Sequence, residues 1–109
     1  RSLLRRTEKD QEEKMIAGPI TINPKTREVF VDEELITLTY KEYELLIYLF
    51  ENSSRVVSRD ELLDQIWGYE YDGESRTLDI HIRTLRQKLG NEGAEHIKTI
   101  RSVGYRFVR

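Results

Sequence analysis

The stretch SRTLDIHIRTLRQKLG, residues 75–90, decides the fold. At about 100° per residue, its large apolar side chains fall on one narrow stripe of a helix, and they are Leu78, Ile82, Leu85 and Leu89. The opposite face is basic and rich in hydrogen-bond donors; it consists of Arg76, Ile80, Arg83, Thr84 and Gln87, flanked by Arg86 and Lys88. Asp79 is the single acid of the stretch. The pattern predicts a helix that docks on a core with one side and offers a basic surface with the other.

Such a surface suits the major groove of DNA. Arginine and glutamine read base edges there, and an apolar group such as Ile80 can contact a thymine methyl group. A solvated amphipathic helix is the alternative, because charged outer faces are ordinary on surface helices. An apolar residue on the outward face favours the contact surface.

Length and composition predict a single folded domain without a membrane span. A chain of 109 residues supports one modest core. No apolar run approaches the roughly 18 residues of a membrane helix, and the first residues lack the apolar region of a signal peptide. The absence of cysteine excludes disulfides and thiolate metal sites and fits a reducing, cytoplasmic compartment. We expect neither a cofactor nor a metal.

The net charge of −2 conceals an uneven distribution. Residues 1–74 hold 10 Lys and Arg against 17 Asp and Glu, whereas residues 75–109 hold 8 against 3. The two parts therefore carry −7 and +5. Because binding to a polyanion depends on local charge, the basic third is the candidate contact surface.

The chain divides into a short tail and a folded part. Residues 1–14 are polar and have little to bury, so we expect a linker. Their start, RSLLRRTE, is typical of the end of a helix and suggests the remnant of a preceding domain. Residues 15–109 then form the folded domain.

Local patterns predict strands first and helices afterwards. From Ile20 to Leu38, short runs in which apolar and polar residues alternate are separated by turn residues. They indicate a small antiparallel meander with one solvent-exposed face. Thr39 followed by Glu42, and Ser58 followed by Glu61, are capping boxes that predict helices over residues 40–52 and 59–67.

Glycines mark the ends of the later elements. Gly68 fits the end of the second helix, and Gly90 ends the third, before a polar connector over residues 91–95. Residues 97–101 and 105–109 alternate as two strands of a hairpin, with Gly104 in its turn. The predicted fold is α+β, a winged helix-turn-helix with an N-terminal β-meander, three helices and a C-terminal hairpin as the wing.

Three stretches carry a resemblance to a known family. They are LTYKEYELLIYLFENSSRVVSRDELLDQIWG (38–68), SRTLDIHIRTLRQKLG (75–90) and IKTIRSVGYRF (97–107). Together they resemble the C-terminal DNA-binding domain of OmpR/PhoB-type response regulators of bacterial two-component systems. The resemblance covers about residues 16–109, and it implies sequence-specific binding of double-stranded DNA and control of transcription.

The resemblance also implies roles for individual residues. On the third helix, Arg76 and Arg86 anchor the DNA backbone, and the groups near bases or phosphates are Ile80, His81, Arg83, Thr84 and Gln87. On the hairpin, Arg101 enters the minor groove, with Thr99 and Tyr105 beside the phosphate. Two positions depart from the family. Thr84 stands where some relatives carry a base-reading arginine, and Ser102 stands where a glycine is common.

Further partners are implied in the same way. The loop of Tyr69, Glu70, Tyr71 and Asp72 is the place where the family contacts RNA polymerase, and two domains bind head-to-tail on a direct-repeat operator. A receiver domain missing from this chain links the family to a sensor histidine kinase. No membrane partner is implied.

Several simpler interpretations stay open. His81 is either a DNA contact or a packed surface residue, and Trp67 is either core or a phosphate contact. The sheet residues Thr21, Arg27 and Glu28 form a solvated face or a subunit contact. An enzyme is disfavoured because no catalytic grouping accompanies His81 and His96. The competing function is a winged-helix module for protein–protein contact.

Overall fold

The computed structural model describes residues 15–68 and 76–109. The predicted linker, residues 1–14, lies outside this part of the chain. The proposed polymerase-contact loop of Tyr69, Glu70, Tyr71 and Asp72 lies outside it too.

The domain begins with a four-stranded antiparallel sheet. Its strands follow one another in space as in sequence, and they are β1 (Met15–Ala17), β2 (Ile20–Asn23), β3 (Glu28–Val31) and β4 (Glu34–Ile36). Asp32 and Glu33 both have positive φ angles, 53° and 68°, as a two-residue hairpin turn requires. The predicted meander is confirmed, and β1 is an additional edge strand too short for its period to be recognised.

Helix α1 (Tyr40–Glu51) starts at the predicted capping box. The Thr39 hydroxyl accepts the Glu42 N–H at 3.2 Å, and the Glu42 carboxylate accepts the Thr39 N–H at 2.9 Å. The helix places Leu45, Leu46 and Leu49 fully inside the core.

Helix α2 (Arg59–Leu62) continues into a π-helical turn (Leu63–Trp67) that ends at Gly68, where φ is 97°. Its capping box is only half formed. The Ser58 hydroxyl accepts the Glu61 N–H at 3.0 Å, but the Glu61 carboxylate bonds Arg55 at 2.5 Å and the Tyr48 hydroxyl instead of returning to the cap. These two donors lower the pKa of Glu61 to about 2. A charged guanidinium is the stronger donor, so it displaces the local bond.

Helix α3 (Arg76–Ala94) contains a break at Gly90, whose φ of 82° and ψ of 178° are not helical. The long segment therefore ends where the sequence predicts. The next residues form one more helical turn in place of the expected polar connector. Gly93 lets this turn pack closely on the core, because a Cβ at this position would be 2.9 Å from the Leu89 Cβ.

The chain closes with the wing, which comprises β6 (Ile97–Ile100), β7 (Gly104–Phe107) and the turn between them. A two-residue strand β5 (Val57–Ser58) pairs with β7, so the sheet order is β5-β7-β6. Gly104 lies in β7 and not in the turn, contrary to the prediction. The left-handed residue of the turn is Ser102, with φ of 66°.

One hydrophobic core joins these parts. It takes side chains from the N-terminal sheet, from all three helices and from the wing. The rings of Phe50 in α1 and Phe107 in β7 pack with centroids 5.0 Å apart. The winged-helix fold is confirmed, and it places the outward face of α3 beside the wing.

Replacing Gly104 with alanine should destabilise the domain. A Cβ at this position would lie 2.0 Å from the Val57 carbonyl oxygen, so β5 and β7 would have to move apart. We expect the free energy of unfolding, measured by urea denaturation, to fall by about 1–3 kcal/mol. Val103→Ala is the control, because Val103 is about half exposed in the same hairpin and should change stability by less than about 0.5 kcal/mol. Equal stability of the two variants would contradict the close approach.

Candidate nucleic-acid interface

The apolar stripe of α3 is buried as predicted. Leu78, Leu85 and Leu89 are fully buried and Ile82 is 1% exposed. On the opposite side the exposed residues are Arg76, Ile80, Arg83 and Gln87. Ile80 keeps 53% of its surface exposed, so an apolar group stands among the polar residues of this face. The structure therefore brings together a continuous outward face with two cations, an amide and one apolar group.

One flank of α3 is held by α2 and the wing through a single carboxylate. Both terminal guanidinium nitrogens of Arg59 donate to Asp79, at 2.6 and 3.0 Å, and the Tyr105 hydroxyl donates to the same carboxylate at 2.5 Å. The bond from Arg59 lowers the pKa of Asp79, and the Tyr105 bond acts in the same direction against the effect of burial. The only acid of residues 75–90 is thus neutralised within the fold.

Arg86 lies on the same flank and fastens α3 to the wing. Its guanidinium donates to the Ile97 carbonyl oxygen at 2.8 Å and to the Thr99 hydroxyl at 2.7 Å. It also lies 5.7 Å from the centroid of the Tyr105 ring. The candidates Arg86, Thr99 and Tyr105 therefore form one connected group between helix and wing.

The other flank of α3 faces α1. The Thr84 hydroxyl donates to the Glu42 carboxylate at 2.5 Å, and the Lys88 ammonium donates to it at 2.7 Å. Burial raises the pKa of Glu42, but the hydrogen bonds from Lys88, Thr84 and Thr39 outweigh it and leave this pKa lowered. A hydroxyl held in this way leaves chiefly the methyl group of Thr84 for contact outside the domain.

His81 and Trp67 pack together at the edge of this flank. The rings meet edge to face with centroids 5.2 Å apart, and the His81 Nδ1–H donates to the Thr77 carbonyl oxygen at 2.9 Å. The Lys41 ammonium lies 5.2 Å from the Trp67 ring centroid. Both residues are partly buried, so packing accounts for their place without requiring a DNA contact.

The wing tip is exposed and tied to α2. Arg101, Ser102 and Val103 are all exposed, and the turn is closed by the Val103 N–H donating to the Ile100 carbonyl oxygen at 2.9 Å. The Arg59 N–H donates to the Val103 carbonyl oxygen at 3.1 Å. Arg101 consequently projects from a fixed turn.

The N-terminal sheet stands apart from this surface. Its Arg27 pairs with Glu44 of α1 at 2.7 Å and lies 4.2 Å from the ring centroid of Tyr43. Thr21 is partly buried and Glu28 exposed on the sheet. Among residues 15–68 and 76–109, no group of three or more His, Asp or Glu is placed to hold a metal ion, and no helix is long and apolar enough to cross a membrane.

The long-range partners of two residues, Glu42 and Arg59, were not predicted from the sequence. The capping box identified Glu42 as a helix start, but its bonds to Thr84 and Lys88 span 42 and 46 residues. Arg59 was assigned only to a helix, although it neutralises Asp79 across 20 residues. The isolated acid within a basic helix was the one available signal, since a buried or partly buried charge needs a partner.

Comparisons with known proteins found similar sequences and similar folds. The family model described as "Transcriptional regulatory protein, C terminal" matches residues 32–107. The uncharacterized transcriptional regulatory protein YclJ of Bacillus subtilis (strain 168) is 49% identical over 88 residues, covering 80% of this chain but only 39% of YclJ. The chain therefore spans well under two thirds of that relative.

Two solved structures share the fold. The Klebsiella pneumoniae RstA DNA-binding domain, in complex with the RstA box, is 33% identical with a TM-score of 0.77, over 88% of this chain and 97% of that one. The response regulator DrrB, described as a Thermotoga maritima OmpR/PhoB homolog, is 32% identical with a TM-score of 0.81, over 98% of this chain and 51% of that one.

The Asp79 contacts predict a defined pH dependence. Asp79→Asn should lower the free energy of unfolding at pH 7 by up to about 1 kcal/mol, a modest value because the pair is partly exposed. Since the pKa of Asp79 is depressed in the folded state, its contribution is present above the unfolded value of about 3.9 and is lost as the pH falls through the folded value. Urea denaturation should therefore show a smaller difference from wild type at pH 3 than at pH 7. An equal difference at both would mean that the carboxylate charge contributes nothing.

Proposed function

Because the chain belongs to the OmpR/PhoB-type family of transcriptional regulatory protein C-terminal domains, we propose that it binds double-stranded DNA in a sequence-specific manner. It does so as the effector domain of a two-component response regulator and thereby controls transcription. The observation that carries the proposal is the outward face of α3, where Arg76, Ile80, Arg83 and Gln87 are exposed beside a basic wing tip.

The dimensions of the groove explain why this helix fits. An α-helix with its side chains is about 10–12 Å across, and the major groove is about 12 Å wide. The outward face therefore meets base edges while the flanks face the sugar-phosphate walls. Ile80, Gln87 and the methyl group of Thr84 are the uncharged candidates for base contacts. Arg83 and His81 lie near bases or phosphates.

The remaining cations bind the backbone and the adjacent groove. Arg76 and Arg86 contact phosphates, and Arg86 also keeps Thr99 and Tyr105 in place beside the phosphate. Arg101 enters the minor groove from the exposed wing tip, because narrow A·T-rich grooves attract arginine.

Further partners belong to the whole regulator. We propose that the whole regulator has a receiver domain that responds to a sensor histidine kinase. It contacts RNA polymerase through residues 69–72 and acts in the cytoplasm. The domain binds DNA head-to-tail with a second copy, because one domain reads few base pairs. Half-sites then lie about 10–11 bp apart, so that both copies face the same side of the duplex.

Selection of bound duplexes from a random pool tests the function directly. Enrichment of a direct repeat with this spacing would support both sequence-specific binding and the tandem arrangement. Binding to random duplex DNA should also weaken as salt rises, because phosphate contacts release counterions. No measurable binding at low salt would favour the protein-contact function instead.

Backbone and base contacts on α3 should respond differently to mutation. Arg76→Ala should weaken binding to all duplexes about equally and lower the salt slope by about 1, because a phosphate contact carries no sequence information. Gln87→Ala should instead change which base is preferred at one position, at a cost of about 1–3 kcal/mol. Selected duplexes and salt titrations of each variant check this. If Arg76→Ala rewrites the selected sequence and Gln87→Ala does not, α3 is rotated in the groove relative to the proposal.

The wing arginine should read groove shape. Arg101→Ala should weaken binding and relax the preference for A·T at a position about half a helical turn from the α3 contacts. Lys98→Ala is the matched control, because Lys98 is an exposed cation in the same hairpin. It lies away from the tip, opposite Arg106 in the register of β6 and β7. Comparison of the two selected sequence sets is the measurement. An unchanged preference for A·T in Arg101→Ala would show that the wing does not contact the minor groove.

A further inference from the structure

Glu42 is a buried carboxylate on which two residues of α3 converge. Only 3% of its surface is exposed, and it lies in the first turn of α1. One oxygen accepts from the Thr39 N–H and from Lys88, and the other accepts from the Thr84 hydroxyl. Both oxygens of the Glu42 carboxylate are therefore hydrogen-bonded within the domain.

The capping role does not require a negative charge at this position. A glutamine in the third position of a capping box accepts the same N–H bond. A buried charge is costly unless it is paired, so an acid at this site depends on a cation. Lys88 is the cation that pairs with Glu42, at 2.7 Å.

Lys88 lies on the side of α3 that would face the DNA backbone. It follows Gln87 and is therefore about 100° around the helix from the outward face. In a groove about as wide as the helix, that flank points at a phosphate wall. With its ammonium held by Glu42, Lys88 gains no phosphate and releases no counterion on binding.

Thr84 lies on the same flank and is fixed by the same residue. A carboxylate only accepts hydrogen bonds, so Glu42 orients the Thr84 hydroxyl hydrogen toward α1. Two contacts one helical turn apart, at Thr84 and Lys88, then set the rotation of α3 about its own axis.

We infer that Glu42 is a positioning residue for DNA binding: it withholds the charge of Lys88 from the phosphate backbone and fixes the face that α3 presents. The inference rests on the proposed function. It deepens that function by stating which cation of α3 does not contribute to the electrostatic part of binding.

The salt dependence of binding to a random duplex separates this role from a structural one. Glu42→Gln keeps the capping bond and the side-chain shape but removes the negative charge that holds the Lys88 ammonium. We expect its salt slope to become steeper than that of wild type by about 0.9, the value for one additional phosphate contact on B-DNA. Lys88→Gln should leave the wild-type slope unchanged, and the double variant Glu42→Gln with Lys88→Gln should match wild type as well.

Glu44→Gln is the matched control. Glu44 lies on the same helix and forms an ion pair of the same length, 2.7 Å, but with Arg27 of the N-terminal sheet. Releasing Arg27 should leave the slope unchanged, because Arg27 lies on the N-terminal sheet and not on the outward face of α3 or on the wing. Thermal unfolding of each variant confirms that it is folded before the titration.

The outcomes are distinct. A slope for Glu42→Gln equal to that of wild type overturns the inference alone, and so does a lower slope for Lys88→Gln, which would mean that Lys88 already binds phosphate. If Lys88→Gln fails to fold because it leaves the buried Glu42 without its cation, the double variant replaces it, and a slope lower than that of wild type then overturns the inference. A wild-type domain that does not bind duplex DNA overturns the proposed function and the inference with it.

Discussion

Burial of the apolar stripe of α3 is the constraint on which the rest of the structure depends. Leu78, Ile82, Leu85 and Leu89 reach the core that the N-terminal sheet, the other helices and the wing share. Each buried side chain of this size contributes about 1.5–3 kcal/mol, while a whole domain is typically stable by only about 5–15 kcal/mol. The helix therefore cannot leave its place without unfolding the domain.

Apolar contacts hold a helix in place but define its rotation poorly, because they lack direction. The polar contacts on the two flanks of α3 supply that direction. Glu42 binds Thr84 and Lys88 on one side, and Arg59 with Tyr105 binds Asp79 on the other. Hydrogen bonds to charged groups are stronger than neutral ones and more demanding in geometry. A rotation of α3 would break contacts on both flanks together, so the reading face is fixed from two sides.

Local signals were predictable from the sequence, and contacts between distant residues were not. The stripe of α3, the cap at Thr39 and the helix end at Gly90 each depend on residues within a few positions of one another. The errors arose where a partner from outside the local element intervened. Arg55 takes the carboxylate expected to complete the second cap, and the approach of Val57 places Gly104 in a strand and not in a turn. The contacts of Glu42 likewise depend on the fold, so no spacing in the sequence indicates them.

The charge available for DNA therefore differs from the charge counted in the sequence. Residues 75–109 carry a net +5, yet Lys88 is paired with a buried acid, and Asp79 is neutralised by an arginine from α2. The acidic turn of Asp32, Glu33 and Glu34 lies on the N-terminal sheet, outside the surface formed by α3 and the wing. An uneven distribution of this kind orients a protein toward a polyanion during approach and keeps the acidic part outward. Under the proposed function, local pairing within the fold, more than overall composition, determines how many cations of this surface are left to contact phosphate.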